Sequence, residues 1–116
     1  KMYHLAVKAA EQLAKDGIEC EIIDPRTVKP LDLPLIIESI KKTNRCVLLD
    51  EAHPFGGLAA EVGFLIQREA FDYLDAPVQR VTLPDVCAPF AKNLFDLWYP
   101  SVKQVVDAVN QVTYRN

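Results

Sequence analysis

Residues 46–49, Cys-Val-Leu-Leu, form an apolar run without polar alternation, set between stretches whose apolar residues recur at helical spacing. A strand with one face in water alternates apolar and polar side chains, whereas a strand apolar on both sides must be covered on both sides. The run is therefore expected to be a parallel strand sandwiched between helices. A sheet that shows one face to solvent does not fit it.

The flanking segments supply those helices. Met2, Leu5, Ala9 and Leu13 recur with Lys8, Glu11, Gln12 and Lys15 between them, and Gly17 offers the left-handed residue that ends a helix over 2–16. Ile18, Cys20 and Ile22 then alternate with Glu19 and Glu21 before Asp24-Pro25, the pattern of a strand followed by a stop. Asp32 precedes Leu33, Ile36, Ile37 and Ile40, predicting a second helix that tolerates Pro34 in its first turn.

Beyond the apolar run, a broadly buried helix is predicted from about Leu58 to Tyr73 and a strand over 78–83. A short helical piece around 91–97 lies among Pro84, Pro89 and Pro100. Ser101 and Gln104 then form a capping box for a last helix with Val102, Val105, Val106, Val109 and Val112 on one face. The order is α-β-α-β-α-β-α. Short connections in that order imply an α/β fold of three layers, an open, mainly parallel sheet with helices on both faces. Such folds normally open on a strand, and the first helix has none to return to. The chain is expected to lack its first strand and to be a fragment.

With 116 residues there is one domain, residues 1–116, and one core. Half the residues are hydrophobic, yet no apolar run approaches the ~20 residues of a membrane span. The net charge of −3 comes from scattered charges and leaves no basic stripe for a phosphate backbone. A soluble domain that contacts neither membrane nor nucleic acid is expected. Cys20, Cys46 and Cys87 lack the close pairs of a zinc site and are too few for a disulfide scaffold, so reduced, buried thiols are expected.

Residues 45–57, RCVLLDEAHPFGG, carry the densest chemistry. A nucleotide motor would need a Gly-rich loop closing on Gly-Lys-Ser/Thr, but Gly17, Gly56, Gly57 and Gly63 never precede a lysine. Asp50, Glu51 and His53 allow two readings. They could hold a ligand at the carboxyl end of a parallel strand, as in a small independent α/β enzyme or nucleotide binder. Alternatively they form a strand-to-helix turn, with Glu51 and His53 bonding locally and Gly56-Gly57 letting the helix start close to the sheet.

Four stretches in series, DPRTVKPLD (24–32), LLDEAHPFGGLAAEV (48–62), LDAPVQRV (74–81) and DVCAPFAKNL (85–94), resemble the carboxy-terminal, transketolase C-terminal-like domain of 2-oxo acid dehydrogenase E1 β subunits. The resemblance spans essentially the whole chain and is strongest to the pyruvate dehydrogenase branch. It implies a complete E1 enzyme that decarboxylates a 2-oxo acid on thiamine diphosphate and magnesium and passes the acyl unit to lipoyl groups of E2. It also implies a bacterial cytoplasm or a mitochondrial matrix. In that family the cofactor lies between the α subunit and the amino-terminal domain of β. Residues 1–116 would then be an assembly domain with no catalytic, cofactor-binding or metal residue of its own.

The implied partners are the E1 α subunit, a second E1 β subunit and the small, basic subunit-binding domain of E2. Asp75, in the Leu-Asp-Ala-Pro motif, is the residue the resemblance places on the E2 surface. Asp72 and Glu69 gather further acid beside an apolar patch of Phe71, Tyr73 and Leu74, or else simply solvate a helix end. Arg26 offers a planar donor fork to a neighbouring subunit's carboxylate, or lies solvated in a rigid turn. Trp98 and Tyr99 are either interface anchors or core. The resemblance assigns His53 no role.

Overall fold

The computed structural model describes residues 1–115; Asn116, the last residue of the expected domain, lies outside them. Helix α1 runs Met2–Lys15, α2 Leu33–Thr43, α3 Leu58–Ala70, α4 Lys92–Trp98 and α5 Val102–Val112, with strands β1 Val47–Leu49 and β2 Gln79–Val81. The strands pair in parallel, Val47 opposite Gln79 and Leu49 opposite Val81.

The apolar run is covered on both faces, as its composition requires. Val47 and Leu49 pack with Ala9 of α1, Val81 of β2, and Val105 and Ala108 of α5. Cys46 and Leu48 point the other way, onto Ile36 and Ile40 of α2 and Val62 and Ile66 of α3. Successive side chains of one short strand thus anchor two helical layers.

The helix ends follow their sequence signals. Asp32 accepts the Leu35 N–H at 3.2 Å, and Asn44 closes α2 in the left-handed conformation with φ of 62°. Ser101 and Gln104 form the reciprocal capping box of α5. Two arginines fasten one end of the domain. Arg45 Nε donates to Val112 O at 2.8 Å, and Arg115 Nη1 donates to Asp16 O at 2.8 Å. The start of β1 therefore sits beside the ends of α5 and α1. At the opposite end the Lys1 ammonium lies 5.4 Å from the Tyr99 ring, near the loop that leaves β1, so α1 runs antiparallel to the strand.

Two expectations are corrected. The strand predicted over 18–22 joins no sheet: residues 18–25 have no regular secondary structure, and among the described residues no backbone group of 19–24 bonds to another backbone. Alternation describes the shape of a strand, whereas a ladder also needs a neighbour. Between this segment and β1 lies a groove of about 670 Å³ instead. The third helix also stops early, at Ala70, and tightens into a 3-10 turn over Phe71–Tyr73. That turn directs Leu74 onto the α2–α3 cluster and leaves Phe71 65% exposed, so Leu74 is core and not part of an outer patch.

The capping box gives a direct test. Ser101→Ala should lower unfolding free energy by about 1 kcal/mol in urea titration, and Ser101→Asp should retain most of it, because either oxygen accepts the Gln104 N–H.

Candidate functional site

The loop after β1 is built as a turn. Asp50 Oδ2 accepts the Ala59 N–H at 2.8 Å and so caps the start of α3 from outside the helix. His53 Nδ1 meets Pro84 O at 2.8 Å, Leu83 N–H donates to Ala52 O at 3.0 Å, and Arg80 Nη1 donates to Pro54 O at 2.8 Å. Gly57 allows the tight approach: a Cβ there would lie 2.6 Å from His53 O and 3.1 Å from Asp50 Oδ2. The turn reading therefore holds, with one change of actor. Asp50 caps, while Glu51 is exposed beside Tyr99 and bonds no backbone among the described residues.

Asp50 already accepts one of the amides at the positive end of α3, the Ala59 N–H. No three His, Cys, Asp or Glu side chains converge among the described residues. Magnesium and a diphosphate call for free carboxylate and carbonyl oxygens around the metal. The residues present do not fit thiamine diphosphate.

An aromatic group lies beside the loop. Trp98 packs edge-on to His53 with ring centroids 6.5 Å apart and donates its Nε1–H to Val86 O at 3.0 Å. Phe95 stacks on Tyr99 at 5.8 Å. The Tyr99 hydroxyl is enclosed without a hydrogen-bond partner among the described residues. Burial first, then the neighbouring Glu51 carboxylate, pushes it up to about 12.

The predicted partner residues fall into two places. Glu69 and Asp72 line a hollow of about 420 Å³ with Arg68, Phe71 and Tyr73, and Glu69 is held by Arg68 Nε at 2.8 Å. Lys41 lies over the Tyr73 ring at 5.1 Å. Asp75 is anchored just beyond: its N–H donates to Asn44 O, its C=O accepts the Tyr114 hydroxyl, and its carboxylate lies 3.8 Å from Arg45. The structure thus brings Glu69, Asp72 and Asp75 to one end of the domain. Arg26 is elsewhere, paired with Asp24 at 3.0 Å on an exposed turn.

The sequence reading missed the structural role of Asp75 and the exposure of Phe55, Phe90 and Leu97, each more than four-fifths exposed. No periodicity marks them: Phe55 and Phe90 sit in irregular segments, and Leu97 lies in the last turn of the short α4. Cys87 is exposed as well, and Cys20 and Cys46 are half-buried, against the expectation of three buried thiols; burial still pushes the Cys46 thiol up to about 11.

The family model for the transketolase C-terminal domain matches residues 1–105, and the chain belongs to that family. Among curated proteins it is 51% identical over 110 residues to the pyruvate dehydrogenase E1 component subunit beta of Rickettsia felis, covering 95% of this chain and 34% of that protein. The corresponding subunit of Rhizobium meliloti is 47% identical, covering 95% of this chain and 24% of the relative. The mitochondrial beta-1 subunit of Arabidopsis thaliana is 42% identical over 116 residues, covering 100% and 32%. The chain spans about a third or less of the length of these relatives. A solved chain described as a split gene transketolase, inactive beta4 tetramer, superposes with a TM-score of 0.79 at 29% identity, covering 99% of this chain and 36% of that one.

Tyr99 provides a pH test with a definite sign. Its proton is retained in the folded chain after the unfolded chain releases it, so its contribution is intact below the ordinary value near 10 and is lost as pH rises toward 12. Tyr99→Phe should reduce the fall in urea midpoint between neutral pH and about pH 11, and should not destabilise at neutral pH, because an unpartnered hydroxyl costs about 1–3 kcal/mol to enclose. The remaining alkaline loss belongs partly to Cys46.

Proposed function

We propose that the chain is a noncatalytic assembly and partner-binding domain of a thiamine-diphosphate-dependent 2-oxo acid dehydrogenase E1 β subunit, with pyruvate as the substrate of the whole enzyme. The observation that carries this is the series of relatives named pyruvate dehydrogenase E1 component subunit beta, each matched across nearly all of this chain. The commitment of Asp50 to a helix cap agrees with it. Thiamine diphosphate, magnesium and the catalytic groups then lie in the rest of the enzyme, with the α subunit and a second β subunit as partners. The compartment is a bacterial cytoplasm or a mitochondrial matrix.

Within this reading, the end of the domain that carries Glu69, Asp72 and Asp75 receives the basic subunit-binding domain of E2. Exposed Phe71 and Tyr73 supply apolar contact between the acids. The carboxylates raise the encounter rate more than they deepen the final affinity. Arg26 would reach a second subunit only by exchanging Asp24 for an external carboxylate.

Two measurements test the proposal. Asp72→Lys and Asp75→Lys should each slow association with an isolated E2 subunit-binding domain several-fold at low salt and flatten its salt dependence, as read by stopped-flow mixing. Asp72 pairs with no cation among the described residues, so its effect reports steering without the loss of the Arg45 contact that accompanies Asp75. Unaltered association in both variants would move the E2 contact to another surface. In the assembled enzyme, His53→Ala should leave decarboxylation within a few-fold of the parent, whereas removing an acid or base that takes part in the chemistry costs ~100-fold or more.

A further inference from the structure

The acids at the end of the domain beyond α3 are already attended by cations of the chain itself. Arg68 Nε donates to Glu69 Oε1 at 2.8 Å, Arg45 Nη1 lies 3.8 Å from the Asp75 carboxylate, and only Asp72 pairs with no cation among the described residues. The Lys41 ammonium sits 5.1 Å from the centre of the Tyr73 ring. Three carboxylates thus share this end with three cations, and its pull on a basic partner is weaker than the acids alone would exert.

Arg45 differs from the other two cations. Its Nε donates to Val112 O at 2.8 Å, so it fastens β1 to the end of α5. Arg68 and Lys41 fasten little. Arg68 and Glu69 are neighbours in sequence, so their bond joins no two turns or elements, and their side chains are 57% and 45% exposed. Arg68 makes one hydrogen bond to Glu69, where a guanidinium can make two to a carboxylate. Lys41 rests on a ring that is itself 42% exposed. A carboxylate and an aromatic face are the two kinds of place that hold an arginine or lysine of another polypeptide, and each is filled here by a side chain of the same domain. The carboxyl end of α3, at Ala70, favours a cation beside it whether that cation comes from this chain or from a partner.

We propose, on the reading that this end receives the basic subunit-binding domain of E2, that Arg68 and Lys41 are built-in competitors: they occupy Glu69 and the Tyr73 ring until an arginine or lysine of the partner displaces them. The exchange replaces one cation by another and releases the resident side chain to water, so no charge is left enclosed and unpaired. Single exposed contacts are weak enough to yield. The partner must offer more than the resident side chain does, such as a fork with two hydrogen bonds to Glu69, and polypeptides with only diffuse positive charge are turned away.

The test uses the complete E1 enzyme and the isolated subunit-binding domain of E2, with association and dissociation read by stopped-flow mixing. Arg68→Gln and Lys41→Gln should each bind about two- to five-fold more tightly than the parent, the range of a single exposed ion pair or cation–π contact. The gain should persist as slower dissociation in about 0.5 M salt, where the Debye length is only about 4 Å and steering is screened. Lys42→Gln controls for charge alone. It removes the same charge from the adjacent position of α2, but its ammonium lies on Glu21 at 3.3 Å, outside the hollow lined by Glu69 and Asp72. It should raise association at low salt and have no effect at about 0.5 M. Arg68→Gln and Lys41→Gln variants that follow Lys42→Gln, or bind more weakly than the parent, overturn the competition; if Asp72→Lys still slows association, the surface itself stands. Binding unaltered in Asp72→Lys, Arg68→Gln and Lys41→Gln alike removes the surface and the competition together.

Discussion

β1 has neighbours on both faces and one edge, and the domain is arranged around meeting those demands with three residues. Its pairing with β2 fixes the register that places Val81 beside Val47 and Leu49, and these three together define the surface on which α1 and α5 lie. The opposite face, through Cys46 and Leu48, does the same for α2 and α3. Slipping the strand by one residue would turn each side chain toward the wrong layer. Short as it is, β1 therefore specifies which helices can be neighbours.

The loop beyond β1 is occupied by groups of the chain itself. A parallel strand that ends at a helix N-terminus usually creates an anion site, because free amides and the helix dipole converge there. Here Asp50 fills that position from within the chain, and Gly57 lets the backbone close over it. The charged and aromatic groups that remain available lie outside, on surfaces.

Much of the architecture was legible in the sequence because it rests on local signals. The unalternated Cys46–Leu49 run identified a strand covered on both faces, and Asp32 and the Ser101–Gln104 pair marked helix starts the structure retains. The segment 18–24 was misread for a different reason. Its alternation records which side chains face each helical layer, but hydrogen bonding depends on a neighbour that alternation does not supply. At the end of the domain that carries Glu69, Asp72 and Asp75, the residue types were readable, whereas the ties of Asp75 to Asn44, Arg45 and Tyr114 span long stretches of chain and leave no periodic trace. Asp50 and Glu51 exchanged roles because adjacent residues at a strand end point in opposite directions, and only the backbone path decides which one meets α3.

The two arginine clasps give residues 112–115 an unusual mechanical position. Arg115 grips the carbonyl at the end of α1, and Val112, three residues earlier, is gripped by Arg45 at the start of β1. Both cations sit against helix carboxyl ends, where the exposed carbonyls and the helix dipole favour positive charge. Tension on the backbone at Arg115 would load α1 and β1 together, in shear across the layers, rather than peel α5 away as a separate thread.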